Sequence, residues 1–186
     1  MPPLDYTIVI APIGKLETRL LECLLLPIQG TFGCRTRLEP VLREIGFAFN
    51  ARRDQYLSTV ILESLAKKAP RSILKVLAIT DLDLFIPIMT HVYGEAQLGG
   101  RACIISTYRL REAIHPVKGE ANFQNRLMKE ALHELGHTFN LKHCKDPSCL
   151  MHYCRTTRDV DRKSNFLCRY CRVLLSDEWK RIAAES

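Results

Sequence analysis

The sequence predicts a single α/β domain, residues 1–186, built on a mainly parallel β-sheet. Three observations carry that reading. Short runs rich in Ile, Val and Leu alternate with amphipathic stretches, the order that strand–helix–strand units produce. Hydrophobic residues make up 47% of the 186, enough for one core at this length. No internal repeat, low-complexity segment or long linker divides the chain.

Taken in order, Tyr6 to Ile13 reads as a first buried strand, because Thr7-Ile-Val-Ile-Ala is apolar but too short to cross a bilayer. A helix is expected over Leu16 to Leu26, and a second strand over Thr36 to Val41. Asp54 to Lys68 is amphipathic and helical, ending in a basic turn before Pro70. Leu74 to Thr80 and Arg101 to Thr107 are further buried strands, the latter after the Gly99-Gly100 break. Between Thr90 and Gly100 the pattern loses its strong hydrophobicity. The last helix is the best defined. Phe123, Leu127, Ala131, Leu135 and Phe139 repeat every four residues, and Met128 and Leu132 widen the stripe. Asn122 is the expected N-cap. Asn140 is the expected stop, since Asn readily takes the left-handed conformation that ends helices. Gly136 lacks a side chain, so another backbone or a cleft can approach there.

That helix carries His133-Glu134-Leu135-Gly136-His137. Residues i and i+4 are rotated by about 400°, so His133 and His137 share one face with about 6 Å of rise between them. Two imidazoles so placed can grip one zinc ion, with Glu134 flanking them as a base rather than a ligand. His143 follows six residues after His137, too far on to share the face, so the chain must turn back for it to close the site. Three neutral ligands leave a coordination position open, the catalytic form of a zinc site. The residues therefore read as a zinc hydrolase.

Eight cysteines are present, five of them in the last quarter: Cys144, Cys149, Cys154, Cys168 and Cys171. The N-terminus lacks the basic region of a signal peptide, so a reducing cytoplasm is expected, where clustered cysteines bind metal rather than pair. Cys168-Arg-Tyr-Cys171 has zinc-knuckle spacing, and Cys144 with Cys149 supplies a second pair. Four thiolates would close a tetrahedral structural zinc site. Cys154 is the alternative ligand, its spacing from Cys149 being equally suitable. Disulfides are the alternative chemistry if the source is a hyperthermophile. Cys23, Cys34 and Cys103 read as small core residues. Two Zn2+ ions per chain are expected, one catalytic and one structural.

The segment resembles the long zinc-binding motif of the metzincins, His-Glu-x-x-His-x-x-Gly-x-x-His, with Asn140 where Gly is usual. Its continuation, Cys144-x4-Cys149-x-Met151 and then Cys168-x2-Cys171, is similar to the archaemetzincins, an intracellular branch. The resemblance implies a metzincin-like zincin fold with a twisted, mostly parallel sheet and an edge strand over the cleft. It implies an active-site helix within 1–143 and a Cys-rich, zinc-stabilised region over 144–186. It implies that Met151 lies in a tight turn beneath the histidines, and that Tyr153, two residues on, can donate to an oxyanion. The edge strand would be Tyr93 to Gly100, offering Gly94, Gln97, Leu98 and Gly99 to an extended substrate. A hairpin without substrate contact is the equal alternative from the residues alone. Peptide bonds are the target the resemblance implies.

The formal charge is +7, with a pI near 9.1. Arg155, Arg158, Arg162, Lys163, Arg169 and Arg172 form a basic run, but Asp159 and Asp161 interrupt it as on a solvated face. A nucleic-acid-binding module is thus a rival reading, though it leaves three histidines and Glu134 without a purpose. A zinc-binding fold with little turnover is another. The expected partner is a peptide or protein substrate, with no membrane, no nucleic acid and a monomeric chain. His91, His115 and His152 are not needed by this chemistry.

Overall fold

The structure, a computed structural model, describes residues 6–112 and 119–185; His115 lies outside them. In chain order the strands are β1 (Thr7–Pro12), β2 (Arg35–Leu38), β3 (Phe49–Asn50), β4 (Gln55–Leu57), β5 (Lys75–Thr80), β6 (Leu84–Phe85), β7 (Gly94–Ala96) and β8 (Ala102–Ser106). The α-helices are α1 (Thr18–Glu22), α2 (Leu25–Phe32), α3 (Ser58–Lys68), α4 (Gly119–Thr138), α5 (Thr157–Arg162) and α6 (Arg169–Glu185).

Five strands form the main sheet in the order β2-β1-β5-β8-β7. The first four are parallel, with Val9 opposite Val76 and Ala78 opposite Ile104. β7 closes the edge antiparallel to β8, Glu95 opposite Ile104. Strand alternation splits the core in two. Ile8, Ile10, Leu77, Ile79, Cys103 and Ile105 face α1, α2, α4 and α6. Val9, Ala11, Val76, Ala78, Ala102 and Ile104 face α3. Both faces being covered explains why β5 and β8 are buried throughout and read as unbroken apolar runs. The mixed α/β class with a mostly parallel sheet is as the sequence predicts.

Several elements differ from expectation. The helix foreseen over 16–26 is two, because a continuous helix would press the Pro27 ring against the Cys23 carbonyl. Restarting at Leu25 puts Pro27 in a first turn, where no amide is needed. Asp54 adopts a positive φ of 53°, so the chain runs extended as β4 before α3 begins at Ser58. β4 joins β3 and β6 in a small second sheet whose strands are too short for the sequence to announce. Asn122 lies inside α4, not at its cap. Asn140 has φ 61° and its amide bonds His137 O. Cys34 and Cys103 are buried but Cys23 is exposed, so it is not a core residue.

The cysteine-rich quarter ends in α6, which the polar sequence hides. Its Leu175, Trp179 and Ile182 belong to the same core as the sheet, and Trp179 packs on Phe139 and Tyr6 with ring centroids 5.2 and 5.5 Å apart. No described helix is long and apolar enough to cross a membrane.

Candidate metal centres and active-site cleft

His133 and His137 sit one turn apart near the C-terminal end of α4, and the left-handed Asn140 reverses the chain so that His143 returns to them. The ring centroids of the three histidines lie 4.7 to 5.3 Å from one another. One nitrogen from each lies within 4.8 Å of the others. Backbone carbonyls set the tautomers. His133 Nδ1–H donates to Leu150 O at 2.9 Å and His137 Nδ1–H to Leu141 O at 2.7 Å, because a carbonyl can only accept. The lone pairs therefore sit on Nε2, and those two atoms face each other at 3.1 Å. This is how metal-binding imidazoles are oriented. Burial, then Lys163 and His137, holds His133 well below the usual histidine range. Burial brings His137 to about 4, and His143 is also lowered, by burial and Lys163. All three are neutral, as metal ligation requires. The donor set fits zinc.

Glu134 is buried beside them, and its packing depends on Gly94 in β7. A Cβ there would stand 2.7 Å from Glu134 Cγ and 2.8 Å from Ile104 O. Burial, then the Glu130 and Glu95 carboxylates, pushes the Glu134 carboxyl well above the ordinary value, opposed by Lys163. Gly136 admits neither backbone nor cleft but Met151: a Cβ would come within 2.5 Å of its Sδ. Met151 is buried beneath the histidine-bearing turn. Tyr153 rests against His143, centroids 5.0 Å apart, and is 41% exposed on the cleft wall.

Cys144, Cys149, Cys168 and Cys171 form the second group, their sulfurs all within 4.8 Å of one another. Sγ–Sγ distances of 3.8 Å (Cys144–Cys168) and 3.7 Å (Cys149–Cys171) are far too long for disulfides. They match the edge of a tetrahedron with Zn–S of about 2.3 Å, which is about 3.8 Å. The Cys168 amide points at Cys149 Sγ and the Cys171 amide at Cys168 Sγ. These N–H groups stabilise thiolate, and the set fits a closed zinc site. Cys154 stands outside it, its thiol near His152 O, where burial pushes it up to about 11.

A cleft of about 880 Å³ runs past the histidines, walled by β7 and the preceding loop on one side and by Lys142, Tyr153 and Arg155 on the other. Within β7, Gly94 and Leu98 beyond it line the cleft, whereas Gln97 and Gly99 belong to the turn into β8. Gly99, φ 66°, donates its amide to His137 O, so that turn is fastened to the end of α4. Tyr93 O and the Gln97 amide bond β8. By the alternation of an antiparallel ladder, the amides of Gly94 and Ala96 face the open edge.

Two residues outside the zinc-site reading of the sequence line the same cleft. Lys163 and Glu130, with side chains 1% and 5% exposed, pair at 2.8 Å, and Lys163 Nζ lies 3.4 Å from His133 Nδ1. Burial works against the ammonium, yet Glu130, with Cys154 and Glu134, holds its pKa above the ordinary lysine value. Glu130 was findable, three residues before His133 on the same helical face; Lys163 was not, since its approach is tertiary.

A zincin-type active-site helix with an open three-histidine group, a neighbouring carboxylate and an edge strand beside the cleft defines a zinc-dependent metallopeptidase, a hydrolase of peptide bonds. The comparisons with known proteins agree. Residues 37–177 match the model of peptidase family M54, and the chain belongs to that family. It is 32% identical over 168 residues to the archaemetzincin of Halobacterium salinarum, covering 87% of this chain and 95% of that protein. With the archaemetzincin of Methanocaldococcus jannaschii it shares 33% over 171 residues, 91% and 93% of the two chains. The crystal structure of Methanopyrus kandleri archaemetzincin superposes with a TM-score of 0.83 at 28% identity, covering 95% of this chain and 97% of that one. That of Archaeoglobus fulgidus archaemetzincin, complexed with malonate, gives 0.78 at 32%, covering 90% and 99%.

Proposed function

We propose that His133, His137 and His143 hold the catalytic zinc and that Cys144, Cys149, Cys168 and Cys171 hold a second, structural one. When bound, the catalytic ion supplies a Lewis acid that polarises a carbonyl and acidifies water. Glu134 is the general base: its carboxylate takes a proton from the attacking water and delivers it to the departing amide nitrogen. A buried carboxylate with a raised pKa suits that task, since it holds a transferred proton more readily than an exposed carboxylate does. Tyr153, on the cleft wall beside His143, donates its phenol hydrogen to the carbonyl oxygen as charge builds there. The peptide lies extended along β7, its backbone meeting the outward amides of Gly94 and Ala96, with Leu98 against a side chain. Met151 fixes the height of the histidines from below.

The observation that carries this reading is the gathering of three neutral imidazoles, His133 and His137 oriented by backbone carbonyls, beside a buried carboxylate that only a glycine opposite can accommodate. All of these groups come from one chain, so the site needs no second copy, and we take the protein as a monomer. We assign no part to nucleic acid, because Lys163 and Asp161 in the basic run are engaged inside the fold by Glu130 and Arg126. Free thiols poised as ligands point to a reducing compartment, the cytoplasm.

Replacing Glu134 by Gln tests the assignment. The variant should keep its metal and its fold yet lose peptide hydrolysis by about 10²–10⁴-fold. Turnover within a few-fold of the parent in the metal-loaded variant would remove Glu134 from the mechanism.

A further inference from the structure

The charges lining the cleft are unevenly committed. Of its carboxylates, Glu95 accepts from Ser58 and Thr59 at the start of α3, Glu130 is paired with Lys163, and Glu134 is taken by proton transfer. Of its cations, Lys142 and Arg155 are exposed on the wall facing β7 and have no ion-pair partner among the described residues. Lys163 lies deeper in the same wall. Its ammonium has three N–H groups. Glu130 Oε1 takes one at 2.8 Å. His133 Nδ1, 3.4 Å away, cannot take another, because that nitrogen already donates its own hydrogen to Leu150 O. A buried cation in a cleft wall thus keeps a donor in reserve, with two free cations at the mouth above it.

We propose that this cleft selects peptides carrying a carboxylate beside the scissile bond, received by Lys163 and drawn in by Lys142 and Arg155. The same three cations disfavour lysine or arginine at that position. The inference rests on the reading of this cleft as the peptide site. The carboxylate can come from an Asp or Glu side chain or from the free C-terminus of a short peptide, and both present the same acceptor oxygens to an ammonium.

The test uses the zinc-loaded full chain and matched peptides that differ only in having Glu, Gln or Lys next to the cut bond. Each is made with a free and with an amidated C-terminus. Both kcat/KM and, with the Glu134→Gln variant, equilibrium affinity by calorimetry are measured at low and high salt. The Glu peptide should exceed the Lys peptide at least tenfold in both quantities, and the ratio should shrink as salt screens the mouth cations. Lys142→Glu/Arg155→Glu, at exposed positions, should bring the ratio to one or invert it. Lys163→Met should erase the difference between Glu and Gln, and if that variant does not fold, the mouth variant and the salt series decide. A preference that survives amidation assigns the carboxylate to the side chain; one that amidation abolishes assigns it to the C-terminus. Equal values for Glu, Gln and Lys, or a lead for Lys, overturn the proposal while leaving the peptidase reading intact. If no peptide is cut, the peptidase reading of this cleft fails, and the affinity ratios still decide the carboxylate preference.

Discussion

At the scale of single residues, the site depends on two hydrogens where other residues carry a methyl. Gly136 faces Met151 Sδ and Gly94 faces the Glu134 side chain. Neither contact is legible in the sequence, because each joins residues 15 to 40 positions apart. The ligand and base positions were legible, since helical period and backbone turn bring His133, Glu134, His137 and His143 together by local rules. Gly136→Ala separates the two kinds of information. Helix propensity alone favours Ala by about 1 kcal/mol, whereas the new Cβ must displace Met151 at a cost of about 1–3 kcal/mol. The expected outcome is a net loss of stability in urea melts together with weaker zinc binding at the histidines. A variant more stable than the parent, with unchanged zinc affinity, would show that Met151 moves aside freely and sets nothing.

At the scale of elements, long periodic segments were readable and short or interrupted ones were not. β1, β5 and β8 follow from their apolar runs, and α4 from its four-residue repeat. β3, β4 and β6 are two or three residues each, below any period, and α6 hides a narrow buried stripe within a charged surface. What fastens the readable elements together is a buried lysine in β5. Lys75 Nζ donates to Thr138 O at the end of α4 and to Gly100 O beyond the β7 turn, at 2.7 and 2.8 Å. Burial pushes its ammonium down to about 8 from 10.5. The folded state thus gives up the proton at lower pH than the unfolded chain. Between pH 8 and 10.5 the unfolded state binds more protons, so this group makes stability rise with pH; below pH 8 both states are charged and the slope vanishes. A neutral amine still has two N–H groups for the two carbonyls, so deprotonation leaves both bonds intact. Relative to Lys75→Met, the parent should gain on the order of 3 kcal/mol across that window, read from denaturant melts at stepped pH. Parallel curves for the two proteins would mean that Lys75 titrates as in water.

At the scale of the whole molecule, the two metal groups stand on opposite sides of one turn and differ in what surrounds them. His133 and His137 hang from α4, which is anchored by Phe123, Leu127, Ala131 and Leu135 in the main core, so the fold around them does not wait for an ion. The stretch from Cys144 to Leu167 buries few large apolar side chains, Leu150, Met151, Val160 and Leu167, and the four thiols that bracket it lie at tetrahedral spacing. A closed thiolate site contributes apparent folding free energy on the order of 10 kcal/mol in small zinc domains, and here that energy would hold the Met151 turn. The far half of α6 is secured separately, by Trp179 and Ile182 against Phe139 and the sheet. The chain should therefore carry two zinc ions by elemental analysis. His143→Ala, which removes the exposed ligand and opens no cavity, should retain one ion, melt close to the parent and lose activity. Cys168→Ser/Cys171→Ser should lose the other ion, melt well below the parent and be cut by protease within 144–168, while the end of α6 stays protected. The disturbed Met151 turn should also lower activity and zinc affinity at the intact histidines. If the cysteine variant matches the parent in melting and proteolysis while the histidine variant unfolds, the division into a structural and a catalytic ion is wrong. A count of one ion in the parent, unchanged in the cysteine variant, would show that the four thiols hold no metal at all.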